Sequence, residues 1–352
     1  MTQRSRIVGV GRYVPERVLT NDDLSAFVDT SDEWIVERTG IRERRVASET
    51  ETTSTLAAQA ARRALASAGV DASEVDLIVT GTCTPDGMFP AVSTLVQHAI
   101  GAGDAATFDV NAACTGFLSA LSTASQFIAT GESRRALVIG AETMTRIMDW
   151  TDRSTCVLFG DGAGAVLLEA VPEGETGGLD GLVLHSDGSQ AGLLYATGPC
   201  APGAGPGAQI LAQEAHLVMN GASVFKHAVT SMAEASLEVL HRAGLTPADL
   251  DLVVPHQANR RIITAMADRL GLAGDRAYMN LERYGNTSSA TIPIALAEAV
   301  AEGRLNAGDR ILLCAFGGGL TWGAMTLEWA PIAHPAAALG EPAAVGSDVT
   351  AD

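Results

Sequence analysis

Cys114 is the side chain whose setting best suits covalent chemistry. It lies in Asn111-Ala112-Ala113-Cys114-Thr115-Gly116-Phe117, after an apolar run from Ala105 to Val110 that reads as a strand. Phe117, Leu121, Ala124 and Ile128 recur at helical spacing, so a helix begins just past the cysteine. A thiol at a helix N-terminus meets unpaired N–H groups and the positive end of the dipole, both of which favour thiolate. The plain alternative is a small buried core residue, as most free cysteines are. Three other stretches offer partners. His256 stands in Val253-Val254-Pro255-His256-Gln257-Ala258-Asn259, Asn286 in Tyr284-Gly285-Asn286-Thr287-Ser288-Ser289, and Gly317-Gly318-Gly319 follow Phe316. Singly, these read as a structural histidine, a capping asparagine and a tight turn. Together they supply a nucleophile, two polar partners and backbone amides free to approach a carbonyl oxygen.

An internal repeat brings them together. Leu65-Ala-Ser-Ala-Gly69 with Asp76-Leu-Ile-Val matches Leu240-His-Arg-Ala-Gly244 with Asp251-Leu-Val-Val at one constant offset. The same offset sets Ile7 on Leu182, Arg135 on Arg310, Asn111 on Asn286 and Cys114 on Ser289. Two copies of one α/β unit follow, residues 1–172 and 179–330, joined at the Pro/Gly-rich stretch 171–178. Packed about a pseudo-twofold axis, the copies bring the Cys114 corner to the Asn286–Ser289 corner, with His256 delivered by the strand before it. The site is expected between the halves.

Within the first copy, residues 6–14 read as a strand and Asp22 to Arg38 as helical. An Ala-rich helix runs from about Thr53 to Ala68, and a strand covers Val75 to Thr80. After a loop from Thr82 to Pro90 come another helix, the Cys114 corner, a strand over Ala136 to Gly140, and a paired set of strands over Thr155 to Leu168. Residues 331–352, rich in Ala, Pro, Gly and acidic side chains, read as a disordered acidic tail. With 352 residues, 47% hydrophobic, the chain can bury a large core. A net charge of −18 speaks against general nucleic-acid or anionic-membrane binding. Five cysteines without CxxC spacing speak against a paired secreted framework and a zinc site, and no metal is expected. No signal-like apolar region opens the sequence, so a cytoplasmic protein is expected.

At these residues the sequence resembles the thiolase superfamily, and within it the β-ketoacyl-acyl-carrier-protein synthase III group. The resemblance runs from residue 5 to about 329 and includes Thr30-Ser31-Asp32-Glu33-Trp34-Ile35 and Asp149-Trp150-Thr151-Asp152-Arg153. It implies a five-layered αβαβα fold. It also implies a decarboxylative condensation of a short acyl-CoA with malonyl-ACP, with no further cofactor, through an acyl-enzyme on Cys114. In that chemistry the backbone N–H groups of Cys114 and Gly318 hold the first oxyanion, His256 and Asn286 donate to the malonyl thioester oxygen, and Phe316 gates the cysteine. Trp34 and Arg153 match the residues that sandwich the CoA adenine, with Thr30 and Arg38 nearby, and Asn259 matches a contact to the pantetheine arm. Phe89 matches a residue that crosses a homodimer interface to cap the partner's acyl pocket. Lys226, Arg260, Arg261 and Arg269 are the basic residues for docking an acidic acyl carrier protein, although Asp268 stands where the family tends to be basic.

Two other readings compete. A same-fold acyltransferase would move the acyl group to a hydroxyl or amine without decarboxylation; the intact His/Asn pair ranks it second. A CoA- or carrier-binding protein without chemistry would not need Cys114. The glycine runs Gly9-Val10-Gly11 and Gly160-Asp161-Gly162-Ala163-Gly164 complete no nucleotide-binding fingerprint. The primer and the pathway, fatty-acid initiation or polyketide starter loading, are left open, as is the part played by Gly198 to Gly207.

Overall fold

The computed structural model describes residues 3–173, 175, 177–197, 216–273 and 275–340. Gly198 to Gly207, with Cys200, therefore lie outside the described residues. In chain order the strands are β1 (Ser5–Tyr13), β2 (Val18–Thr20), β3 (Glu43–Arg45), β4 (Leu77–Gly81), β5 (Ala106–Val110), β6 (Arg135–Thr143) and β7 (Asp161–Ala170). They continue with β8 (Gly178–Ser186), β9 (Leu194–Ala196), β10 (Leu217–Met219), β11 (Leu252–Pro255), β12 (Arg310–Gly317) and β13 (Thr321–Glu328). The helices are α1 (Asn21–Ser25), α2 (Asp32–Thr39), α3 (Thr53–Ala68), α4 (Val92–Ile100), α5 (Gly116–Thr130), α6 (Gly221–Ala243), α7 (Arg260–Arg269), α8 (Leu281–Tyr284) and α9 (Thr291–Ala301).

Two mixed sheets, β1-β7-β6-β4-β5 and β11-β12-β13-β8, carry the architecture. Helices α3 and α4 cover the outer face of the first sheet, α5 and α9 lie between the sheets, and α6 and α7 cover the second. Among the described residues three large apolar cores fill the layers, beside a small cluster of Tyr284, Ala290 and Ile294. One packs α3 on the first sheet, a second surrounds α5 and α9, and the third joins α6 and α7 to the 19–41 region. This is the five-layered arrangement expected.

Local chemistry explains the close approach of the layers. A Thr52 cap starts α3 and Gly69, at φ 68°, ends it. Its buried face is alanine (Ala57, Ala60, Ala61, Ala64), and β1 answers with Gly9 and Gly11. A Cβ on Gly11 would stand 2.3 Å from the Ala64 nitrogen. Gly164 on β7 serves α9 in the same way, with a virtual Cβ 2.5 Å from the Ile294 nitrogen. Both glycine runs are thus packing surfaces.

The repeat is visible in the backbone. β4 and β6 match β11 and β12, and the 3-10 turns Ala113–Thr115 and Ser288–Ala290 lead into α5 and α9. Four expectations need correction. The helical pattern over Asp22 to Arg38 is two helices, because Thr20 and Ser31 each cap a separate start. Thr155 to Leu168 is one strand, β7, preceded by turns; its partners are β1 and β6. The counterpart of β5 is the helix α8, leaving the second sheet with four strands and a single bridge, Val253 to Ala277, at the vacated edge. The tail does not begin at 331: Pro335–Leu339 form a 3-10 turn against α3 and α9, with Ala338 fully buried and the His334 N–H bonded to the Ser67 carbonyl at 2.8 Å. Residues 341–352 lie outside the described set.

Gly81 and Gly140 are paired neighbours on β4 and β6. A Cβ on Gly81 would come within 2.4 Å of the Gly116 backbone, and one on Gly140 within 2.3 Å of the Ser289 carbonyl oxygen. Gly140→Ala should therefore lower stability by about 1–3 kcal/mol, the usual cost of overpacking. It should also displace the Asn286 corner, so thermal unfolding and activity fall together; an unchanged melting temperature would contradict this packing.

Candidate active site

The two corners share one construction. In the first, Ala113 takes φ 46° and the Asn111 side-chain oxygen accepts from the Ala113 N–H at 3.4 Å. In the second, Ser288 takes φ 50° and Asn286 Oδ1 accepts from the Ser288 N–H at 2.8 Å. Left-handed backbone costs a non-glycine residue about 1–2 kcal/mol, a strain held here by surrounding contacts. With Oδ1 so engaged, Asn286 is left with its amide N–H groups to offer.

A cavity of about 1410 Å³ opens between the halves, and Cys114, His256, Asn286, Phe316 and Gly318 all line it. The first half contributes Cys114, the second the other four. β11 runs parallel to β12 and ends where the His256 N–H bonds the Cys314 carbonyl at 2.8 Å. The imidazole is buried, and its Nδ1 lies 2.7 Å from Thr291 Oγ1 at the start of α9. The glycine loop presses on the nucleophile: a Cβ on Gly317 would lie 2.7 Å from the Cys114 nitrogen. Thr115 and Thr321 hydroxyls tie this loop to the Ala112 carbonyl.

The electrostatics differ from the sequence expectation in one respect. Burial pushes the Cys114 thiol up to about 12, against a hydrogen bond from the Ser288 hydroxyl that pulls it down. The helix N-terminus does not make a resting thiolate. Burial alone brings His256 down to about 3, so its imidazole is neutral at physiological pH. The cysteine's neighbourhood also holds a carboxylate. Glu142, fully buried at the end of β6, accepts from the Thr82, Thr84 and Ser289 hydroxyls, the Cys83 and Thr84 N–H groups and the Cys83 thiol. Its charge is a further cause raising Cys114.

Glu142, Cys83, Ser288 and Thr291 were not singled out from sequence. For Glu142 the signal was there, an acidic residue closing a buried strand. Cys83 entered only as a count, and the others matter through contacts that appear once the halves meet.

The remaining candidates divide. Trp34, Arg38, Asn259 and Arg261 line the cavity; Thr30 and Arg153 do not. The guanidiniums of Arg38 and Arg153 lie 4.5 and 5.3 Å from the Trp34 ring centroid, and Arg153 also holds Asp29. Asn259 caps α7 through the Arg261 N–H and donates to the Arg38 carbonyl at 3.0 Å, so its capping duty is real. Phe89 is 84% exposed and does not line this chain's own cavity, though Met88 does. Of the basic residues, Arg260 donates to the Gly40 carbonyl, Arg269 to Thr230, Arg261 stacks on Phe225, and Lys226 is exposed. Among the described residues no cluster could hold a metal, and no helix is long and apolar enough to cross a membrane.

Comparison with known proteins gives one consistent result. Residues 108–188 match the family described as 3-oxoacyl-[acyl-carrier-protein (ACP)] synthase III, and residues 240–329 match its C-terminal region. The chain is 54% identical over 332 residues to the beta-ketoacyl-[acyl-carrier-protein] synthase III of Rhodospirillum centenum, covering 94% of this chain and 100% of that relative. It is similar to the crystal structure of 3-oxoacyl-[acyl-carrier-protein] synthase III from Aquifex aeolicus, with TM-score 0.86, 46% identity and coverage of 92% and 100%. It is also similar to the priming beta-ketosynthase of the R1128 polyketide biosynthetic pathway, with TM-score 0.87, 39% identity and coverage of 94% and 98%.

The raised thiol sets a pH dependence. Below its pKa the thiolate fraction grows about tenfold per pH unit, so iodoacetamide alkylation of Cys114 should climb steadily from pH 6 to 10 without a plateau. A plateau near pH 7 would mean that the dipole, not burial, governs the sulfur.

Proposed function

We propose that this chain, which belongs to the 3-oxoacyl-[acyl-carrier-protein] synthase III family, condenses a short acyl-CoA with malonyl-ACP through a Cys114 acyl-enzyme. The observation that carries the reading is the convergence of Cys114, His256 and Asn286, from opposite halves of a duplicated fold, on one cavity.

In the first half-reaction Cys114 Sγ bonds the acyl carbonyl carbon, the bond to the CoA sulfur breaks, and the thiol proton ends on CoA. The oxyanion formed on the way is held by the Cys114 and Gly318 N–H groups. In the second, malonyl-ACP enters and its carboxylate leaves as carbon dioxide. The electron pair passes to an enolate whose oxygen receives hydrogen bonds from His256 and Asn286. The enolate carbon then attacks the acyl-enzyme, Cys114 leaves as thiolate and takes up one proton from solvent, and 3-oxoacyl-ACP departs. A neutral histidine suits this step, because a donor that stays uncharged needs no counter-ion in a buried site. No cofactor beyond the two substrates enters the scheme.

Trp34 and Arg38 form the platform for the adenine, and Arg153 closes over it from outside the cavity lining. The exposed pair Met88 and Phe89 is the contact through which two chains form a homodimer, Phe89 reaching the partner's pocket. Lys226, Arg261 and Arg269 give an acidic carrier protein a local basic face on a molecule of net charge −18. The setting is cytoplasmic fatty-acid initiation or polyketide starter loading.

Intact-mass spectrometry tests the reading. Incubated with acetyl-, isobutyryl- and hexanoyl-CoA, the wild type should gain an acyl mass that Cys114→Ala lacks. Malonyl-ACP should discharge it as carbon dioxide and 3-oxoacyl-ACP form. Discharge only to a hydroxylamine or alcohol would replace condensation with simple acyl transfer. For the CoA platform, Trp34→Ala should raise KM for acyl-CoA about tenfold at unchanged saturating rate, the loss of one stacking contact.

A further inference from the structure

We propose that Thr291 is a positioning residue that fixes His256 as a hydrogen-bond donor, its hydroxyl donating to Nδ1 so that the ring proton sits on Nε2, facing the cavity. The inference rests on the condensation reading above and assigns a role to a residue outside the cavity lining.

The argument is one of counting hydrogens. A neutral imidazole carries one proton for two nitrogens, and burial keeps this ring neutral. Whichever nitrogen accepts a hydrogen bond leaves the other as the donor. Among the described residues the ring has one side-chain partner, Thr291, at 2.7 Å from Nδ1. Thr291 has a single hydroxyl hydrogen and two acceptors within reach, Nδ1 and the Ser288 carbonyl oxygen at 2.9 Å. That carbonyl already receives the backbone N–H of Thr291 itself. Turning the hydroxyl to the histidine therefore leaves no buried acceptor unpaired, and the nitrogen contact is the shorter of the two. The opposite choice would give Ser288 a second donor, place the proton on Nδ1 and turn a bare Nε2 toward an enolate oxygen, an acceptor facing an acceptor.

The placement couples this choice to the rest of the corner. Thr291 opens α9, one turn beyond Asn286, so the same 286–291 segment orients both donors: Asn286 through its Oδ1 bond to Ser288 N–H, and His256 through the Thr291 hydroxyl. The residue is fully enclosed, so water does not substitute for the hydroxyl at Nδ1.

The test compares wild type, Thr291→Val and Thr291→Ser. Valine keeps the branched shape and removes the hydroxyl; serine keeps the hydroxyl. Acylation of Cys114 by acetyl-, isobutyryl- or hexanoyl-CoA should stay within about twofold in all three. Condensation with malonyl-ACP should fall at least tenfold in Thr291→Val, approaching the loss of an oxyanion donor, and return in Thr291→Ser. Nitrogen-15 spectra of labelled wild type should show His256 protonated at Nε2. A wild-type spectrum with the proton on Nδ1, equal loss of both half-reactions, or full condensation by Thr291→Val would overturn the assignment. If Thr291→Val does not fold, the wild-type spectrum and the serine variant still decide it. A wild type that acylates but never condenses would instead refute the condensation reading, while the spectrum reports on Thr291 separately.

Discussion

The site depends on the way two left-handed corners seat on one pair of glycines. Gly81 and Gly140 face each other across adjacent strands, and each leaves room for one corner to touch the sheet backbone. Cys114 and Asn286 come from opposite halves, and the corners that carry them rest, through Gly116 and Ser289, on two adjacent strands about 5 Å apart. A loop-borne site would have to order two flexible segments at once. Here the positions follow from the sheet, which is why strain at Ala113 and Ser288 is tolerated.

Within that frame the chemistry is kept electrically quiet. The nucleophile rests as a thiol and the imidazole as a neutral ring. The buried carboxyl group nearby, Glu142, is surrounded by donors, some from the frame (Thr82, Ser289) and some from the cavity wall (Cys83, Thr84). Charge then arises only where a substrate brings it, at an acyl oxyanion or an enolate. Fixed neutral donors stabilise such charge most when no resident ion competes for them. The same reasoning explains Glu142: it ties the 82–84 loop to Ser289 and so joins one half's loop to the other half's corner.

Much of this was legible before the fold was seen, for a definable reason. A constant offset between repeats carries three-dimensional information, so aligning Cys114 with Ser289 predicted a face-to-face pairing that periodicity alone could not. Glycine runs were ambiguous, since a glycine that admits a phosphate and one that admits a helix look alike; Gly11 and Gly164 admit helices. Periodicity misled in one place: the pattern over Asp22 to Arg38 is helical in period, and the Ser31 cap divides it. The helix-dipole argument for Cys114 was sound as a local effect and lost to burial, which sequence does not measure. Thr291 and Ser288 were illegible because their importance lies in one hydrogen each.

The duplicated halves have diverged where they are most alike. Ser289 holds the place in the second corner that Cys114 holds in the first, yet its one hydroxyl hydrogen lies between two buried acceptors, the Gly81 carbonyl at 2.7 Å and Glu142 at 2.9 Å. A serine so engaged cannot attack a thioester; it locks the corner that carries the donors. Asn111 and Asn286 have parted less, since both still cap their corner's left-handed residue. One ancestral turn thus yields a corner that presents a nucleophile and a corner that presents donors, and the distinction rests on which side chain spends its hydrogen bonds on the frame.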